Sequence, residues 1–310
     1  MIPVLIIGAG IAGLACARRL ADAGMAPVVL DKGRGIGGRV ATRRTGDGQF
    51  DHGAQYVNAH GAGFAAVLGA LEAAGTLAGW PDGTGHTHSV GVPGMSAIPK
   101  ALGAGLDIRQ NAQVTRLVAD AGGWVVHLAE GALRAAHVVV TVPAPQVAAL
   151  LGADHPLVAA LGAVQMSPCL TLMAAIAAPA PFITRKDADD PLSWIAQDSA
   201  KPGRPQGAGA LWVAQAGAAF SAAHLEDDPA TLTARMLPLL CDRLGADPAS
   251  VTHAASHRWR YARVAQPLGQ PFLHSGDGTL HLGGDWCLGA RIEAAWDSGT
   301  TIAADLLARR

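Results

Sequence analysis

The sequence predicts an α/β chain of two domains, one with a parallel sheet flanked by helices and a second, α+β, built on an antiparallel sheet. Three observations predict it. A short apolar run, a glycine-rich turn, a helical stretch and a second apolar run follow one another within the first thirty-one residues. From residue 150 to 270 the pattern changes to apolar strands separated by Pro-rich connections. After residue 279 the chain returns to a strand, a glycine turn and a closing helix.

Element by element, residues 3–7 (PVLII) read as a buried strand that ends in Gly8. Residues 12–23 place Leu14, Ala17, Leu20 and Ala21 on one helical face, with Gly24 suited to the helix end. Residues 28–30 form a second buried strand ending in Asp31, which completes a βαβ unit. A helix is expected over 62–75 and a helix start at GMSAIPKAL. DIRQNAQVTRLVAD and GWVVHLAEG alternate like antiparallel strands, and AAHVVVTVPAP returns to a buried strand before a Pro turn. Further on, strands are expected at 169–177, 193–197 and 209–216, a helix at 229–244 and a last helix at 291–308.

Composition narrows the function classes. Half of the 310 residues are hydrophobic and 15% are charged, so the chain buries a large core and is not disordered. The net charge is −1 with both signs interspersed, which gives no footprint for nucleic acid or a membrane surface. The cysteines at 16, 169, 241 and 287 form no CxxC pair and lie at no metal-ligand spacing from histidine. They read as reduced, buried thiols of a cytoplasmic protein, with no metal site. Ile2–Ile7 lacks a basic leader, so it reads as a strand and not as a signal peptide.

Four segments carry chemistry. In Gly8-Ala9-Gly10-Ile11-Ala12-Gly13, Gly8 permits the tight turn, Gly10 admits a pyrophosphate close to the backbone, and Gly13 lets helix and strand approach. The helix start points free N–H groups at the phosphates. Asp31, eighteen residues after Gly13, stands where a carboxylate binds ribose hydroxyls. This is a Rossmann-like dinucleotide-binding pattern. The second segment is Asp31-Lys32-Gly33-Arg34-Gly35-Ile36-Gly37-Gly38-Arg39, the third Asp51-His52-Gly53-Ala54-Gln55-Tyr56, and the fourth Gly283-Gly284-Asp285-Trp286 followed by Arg291 to Gly299. Taken singly, each of the last three could be an ordinary turn.

Together they resemble the flavoprotein family that includes monoamine oxidases and phytoene desaturases, and within it the bacterial renalase-like branch. The resemblance rests on DKGRGIGGR, DHGAQYV, VVVTVPAPQ, SWIAQDSAKPGR, HRWRYARV and GGDWCLGARIEAAWDSG, and spans nearly the whole chain. It implies noncovalently held FAD. The implied cofactor residues are Gly8, Gly10, Ile11, Ala12, Gly13, Asp31, Lys32, Gly37, Gly38, Arg39, Gly53, Ala54, Gln55, Val114, Asp285, Ile292, Glu293 and Ala294. Arg39 would neutralise the diphosphate, the Asp51–Tyr56 segment would pass along the flavin ring, and Asp285 would bind the ribityl–phosphate part. The start of the last helix would face the flavin pyrimidine edge and stabilise negative charge there. Two positions depart from the family pattern: Ala294 where glycine is expected, and Val57 where an aromatic residue is usual. The FAD-binding domain is expected to be discontinuous, 1–75, 91–149 and 272–310, with 76–90 and 150–271 covering the substrate.

The implied reaction is hydride transfer from a small reduced substrate to flavin N5, with dioxygen taking the electrons to give hydrogen peroxide. Similarity to renalases implies isomeric dihydronicotinamide nucleotides (NAD(P)H isomers) as substrate. A flavin amine oxidase acting on a small amine and a flavin-bound redox sensor without turnover stay open, and the oligomeric state is not legible. Tyr56, Trp194, Arg258, Trp259, Tyr261 and Trp296 are the substrate-pocket candidates, with core packing the plainer alternative for the aromatics. An amine pocket would need an aromatic cage beside the flavin; the sequence offers Tyr56 and Trp296 but no clear pair. Of Arg258 and Arg260, flanking Trp259, one is expected to face the pocket and one water. His52, His257, His274 and His281 have no triad or metal partner, so structural roles are the plainer reading. No catalytic side chain is assigned. Cys287 reads as a packed thiol and Lys100 as a solvated residue on a helix.

Overall fold

The computed structural model describes residues 1–46, 48–205 and 209–309. Two large sheets organise it. The eight-stranded sheet runs in the order Leu273–His274, Leu280–Leu282, Ala132–Val140, Ile2–Ile7, Val28–Leu30, Asp107–Arg109, and the antiparallel pair Val114–Asp120 and Gly123–Leu128 joins it through Ala132–Val140. Ile2–Ile7 pairs in parallel with Val28–Leu30 on one side and Ala132–Val140 on the other. The strand order therefore reverses between Ile2–Ile7 and Ala132–Val140, and a crevice opens beyond their carboxyl ends. The first helix, Ile11–Asp22, and the last, Ile292–Ala308, pack on each other over this sheet, and a Cβ at Gly299 would strike the carbonyl oxygen of Ala12. Ile6, Leu14, Ala17, Ile302 and Leu306 share the core beneath them.

The second sheet is antiparallel, in the order Thr184–Lys186, Trp194–Gln197, Ala210–Gln215, Gln165–Ile176, Val251–Gln266. Because side chains alternate along a strand, its two faces have separate work. Leu170, Leu172, Ala174 and Ile176 meet Leu232, Met236, Leu240 and Leu244 of the helix Pro229–Leu244. Met173, Ala175, Leu211 and Val213 meet Phe50, from the small hairpin Arg43–Thr45 and Gly48–Phe50. The helix Pro229–Leu244 begins where the Asp228 carboxylate accepts from the N–H groups of Ala230 and Thr231, and ends at Gly245 with φ of 61°.

The architecture is the one the sequence predicts, an α/β part with a mixed sheet and a part built on an antiparallel sheet. The helix expected over 229–244 has those bounds. The stretch DIRQNAQVTRLVAD forms two strands, with a turn through Asn111 at φ of 54°. The hairpin Leu77–Pro81 and Thr87–Gly91 touches both parts: Leu77, Trp80 and Val90 join the core that holds Leu14, and the Thr184 hydroxyl donates to the Asp82 carbonyl. Among the described residues no helix is long and apolar enough to cross a membrane.

Candidate cofactor and substrate site

The crevice is floored by the first helix. Gly10 precedes it with no side-chain cap, and the N–H groups of Ile11, Ala12 and Gly13 find no acceptor among the described residues. A Cβ at Gly13 would lie 2.0 Å from the Gly8 carbonyl oxygen, whereas one at Gly10 would meet nothing within 4 Å. Gly13 is thus a packing glycine and Gly10 keeps space open over the free N–H groups. The Gly37 N–H donates to the Ala9 carbonyl at 2.8 Å, and a Cβ on Gly38 would sit 3.7 Å from Gly10 Cα, so the second glycine loop closes over the first. The Asp31 carboxylate accepts from the N–H groups of Ala9 and Gly33, both at 2.7 Å. The Ala112 N–H donates to the Asp31 carbonyl, which brings the start of the strand at Val114 to the same end of the crevice; Lys32 is exposed.

Arg39 ties the remaining motifs together. Its carbonyl accepts the Ala54 N–H at 2.9 Å, and a Cβ at Gly53 would collide with it. Its guanidinium grips Asp285 with two bonds of 2.6 and 2.7 Å and donates to the Ala262 carbonyl at 3.0 Å. The two residues expected to touch different parts of the cofactor therefore hold each other. Each keeps hydrogen-bonding capacity: two guanidinium N–H groups on Arg39 and a lone pair on each Asp285 oxygen. At the last helix, Arg291 provides no side-chain cap, and the N–H groups of Ile292, Glu293 and Ala294 again lack acceptors among the described residues. The Glu293 side chain is committed elsewhere: its carboxylate accepts from the Gly61 N–H at 2.7 Å, the His60 N–H at 3.0 Å and His60 Nδ1 at 3.0 Å, at the start of the helix Ala62–Ala73. Only its backbone is left for a cofactor. Ala294 and Val57 are both buried, and the Val57 N–H donates to Ser89.

A network that sequence reasoning missed lies behind the Asp51–Tyr56 segment. Asp51, Asp198, Lys201 and Arg204 have side chains with no exposed surface. Lys201 Nζ is 2.7 Å from Asp198 and 3.3 Å from Asp51, and Arg204 pairs with Asp51. Thr42 and the Met95 N–H also donate to Asp51. Burial works against ionising Asp51, but Lys201, Arg204 and these hydrogen bonds outweigh it and hold its carboxyl below the usual range. Lys201 further donates to the Gln55 side-chain oxygen, while the Gln55 amide donates to the Asp51 and Gly53 carbonyls. The only trace of this in sequence is the spacing Asp198, Lys201, Arg204 in a stretch of otherwise mixed polarity.

The aromatic candidates separate into groups. Tyr56 stacks on His88 at 3.9 Å and tilts against Trp194 at 5.9 Å, while Trp296 packs on Phe64 at 5.5 Å. Tyr56 thus has Trp194 as a ring neighbour, where the sequence showed no clear pair. Trp259 donates from its indole to the His52 carbonyl at 2.8 Å, stacks on the His52 ring at 5.2 Å, and has a ring atom 3.5 Å from where a Gly53 Cβ would be. Arg258 and Arg260 correct the expectation that they face opposite ways. Two residues apart on one strand, they share a face, and both pair with Glu226. Neither points with Trp259.

Of the four histidines, His281 bonds Asp305 at 2.8 Å and His274 bonds the Ser275 carbonyl. Burial, with His257 and Arg43 nearby, pulls the His52 pKa down to about 3 from 6.5. Below pH 6.5 the unfolded chain takes up a proton there and the folded chain does not, so acid weakens the fold. Urea unfolding at pH 7 and pH 5 should show the wild type losing on the order of 2 kcal/mol more than His52→Gln over that interval. Equal losses would show that His52 is not held neutral. All four cysteines are buried and free, and burial pushes the Cys287 thiol up to about 12, so it is a packed thiol and not a thiolate nucleophile. Lys100 is exposed on its helix.

A bound FAD fits these residues. Two helix starts present uncapped N–H groups, the Gly10–Gly38 gap leaves the backbone approachable, and Asp31, Arg39 and Asp285 line the same crevice.

Comparison with known proteins agrees. Residues 6–70 match the NAD(P)-binding Rossmann-like domain, and residues 61–307 match the family described as flavin containing amine oxidoreductase. A 47-residue stretch is 49% identical to 15-cis-phytoene desaturase of Synechococcus elongatus, covering 15% of this chain and 10% of that relative. A redesigned putrescine oxidase superposes with a TM-score of 0.77 at 15% identity, and cyclohexylamine oxidase from Brevibacterium oxydans with 0.75 at 14%; 99% of each chain is covered in both. At such identity these two structures share the fold. The match over residues 61–307 takes in most of the chain, which belongs to the flavin-containing amine oxidoreductase family and is an FAD-dependent oxidoreductase.

Proposed function

We propose that this protein is an oxidase of isomeric dihydronicotinamide nucleotides, with dioxygen as the electron acceptor and NAD(P)+ and hydrogen peroxide as products. The observation that supports this reading most is the aromatic pair beside Gly53, where Trp259 stacks on His52. A flat nicotinamide ring needs faces to lie against, and its oxidation needs no side-chain nucleophile. When bound, FAD supplies the two-electron acceptor. The chain then has to hold the ring, keep water out and fix the substrate's orientation. In this reading 1–75, 91–149 and 272–310 hold the cofactor through the residues named above, while 76–90 and 150–271 cover the substrate.

Anaerobic mixing of the holoprotein with each isomer tests the assignment. The flavin absorption band should bleach within the mixing experiment for at least one of them. No bleaching by any isomer would overturn the substrate. The tilted contact of Tyr56 with Trp194 favours a second reading, oxidation of a small amine bound beside these two rings. Peroxide release with amines and none with dihydronicotinamides would select it.

A further inference from the structure

A cleft of about 590 Å³ opens along Val251–Gln266, the edge strand of the second sheet. Arg43, Asp227, Thr233, Ser256, His257 and Arg258 are among its lining residues. Its one acid is already paired, since Asp227 lies 2.9 Å from Arg235 and 3.1 Å from His224. Arg258 likewise has Glu226. Arg43 differs from both. Among the described residues no carboxylate pairs with it, and its guanidinium donates instead to His257 Nδ1 at 3.2 Å. Other arginines that are partly or wholly buried here do have acids: Arg39 has Asp285, Arg204 has Asp51 and Arg243 has Asp190. A half-buried guanidinium whose neighbour is a neutral ring is, among the described residues, a positive charge lacking a counter-ion.

His257, which lines the cleft, also touches the ring pair of Trp259 and His52. His257 is edge-on to Trp259 at 4.4 Å and to His52 at 4.8 Å, and Trp259 reaches the Gly53 position. His52 Nδ1, on a residue only 6% exposed, has no partner in this cluster. An imidazole nitrogen that accepts from a guanidinium is unprotonated, which assigns the His257 proton to Nε2. Burial and then Arg43 bring the His257 pKa down to about 4, so at neutral pH Arg43 alone supplies the charge. A nucleotide carries its phosphate one ribose away from its base, so a ring lying near Trp259 places that phosphate beyond it, toward Arg43.

We propose that Arg43 binds the phosphate of the nucleotide substrate in this cleft, and that His257 is a positioning residue that orients the guanidinium. The proposal rests on the dihydronicotinamide reading for the identity of the substrate, and on the cleft alone for its anion chemistry. Ribose 5-phosphate, which cannot be oxidised by hydride loss to flavin at a nicotinamide ring, is the probe. Calorimetric titration into the holoprotein should show binding that weakens tenfold or more in Arg43→Gln and is largely kept in Arg43→Lys. With the nucleotide isomers, Arg43→Gln should raise KM while kcat stays within about twofold. Equal affinity for the probe in wild type and Arg43→Gln overturns the site, as does failure of the wild type to bind it. Should Arg43→Gln not retain flavin, the wild type decides alone: affinity for the probe must fall several-fold on raising salt, and salt-independent binding overturns the charge assignment. Bleaching by the isomers with unimpaired probe binding in Arg43→Gln overturns the cleft and spares the reaction. Impaired probe binding without bleaching overturns the substrate and leaves a phosphate site.

Discussion

Lys201→Met should lower the melting temperature of the holoprotein by on the order of 10 °C. The buried network joins two carboxyl groups, an ammonium and a guanidinium, and none is exposed. Removing one partner of a buried pair leaves an uncompensated charge, which costs about 3–5 kcal/mol. A typical domain has about 5–15 kcal/mol in all, so the fraction lost is large. The variant also has a pH signature. Burial already raises the Asp198 carboxyl pKa above the usual range, and Lys201 is the strongest influence opposing it. Without Lys201 that pKa rises further. A carboxyl with a raised folded pKa contributes stability below its unfolded value and loses it as pH climbs through the folded value. Lys201→Met should therefore be closer to wild type at pH 5 than at pH 7, and Asp198→Asn combined with Lys201→Met should recover part of the loss by restoring neutrality. Scanning fluorimetry at the two pH values decides this. A melting temperature unchanged at pH 7 would mean that the network is solvated.

Gly13→Ala and Gly10→Ala should fail in different ways, although both sit in one six-residue motif. The methyl at position 13 meets the Gly8 carbonyl oxygen, a backbone atom that cannot rotate away. The helix must move off the strand, at a cost of about 1–3 kcal/mol or more, and its free N–H groups move with it. Loss of thermal stability and of bound flavin together is the expected result. The methyl at position 10 meets no protein atom. Gly10→Ala should unfold within about 2 °C of wild type as apoprotein, yet hold FAD at least tenfold more weakly because the methyl stands where the diphosphate approaches. Flavin retention on gel filtration and apoprotein melting curves separate the two. Full flavin retention by Gly10→Ala would remove the diphosphate from this gap.

The crevice was legible because its chemistry is local. Gly8, Gly10, Gly13 and Asp31 lie within one βαβ unit, where spacing alone fixes which backbone groups converge. For Glu293, spacing places the backbone at the start of the last helix but says nothing of Gly61, whose N–H takes the carboxylate. Tyr56 and Trp296 could be offered by type alone, with no clear pair, whereas packing sets Trp296 against Phe64 and Tyr56 beside Trp194. The error over Arg258 and Arg260 was different, because the two-residue period of a strand already puts both on one face.

The sequence by itself determined the α/β class, the helices and strands of the nucleotide-binding half, and the presence of two uncapped helix starts flanked by glycines. Each follows from interactions between residues a few positions apart. Tertiary structure alone decided that Arg39 clasps Asp285, that Asp51 and Asp198 share Lys201 and Arg204 out of reach of water, and that Arg43 has no carboxylate partner among the described residues. Apart from the local contacts of Asp198 with Lys201 and Arg204, those facts depend on which groups meet across separations of about 150 to 250 residues. At such separations sequence pattern sets no distance, and only the packed fold determines whether a charge finds its partner or is left to bind a ligand.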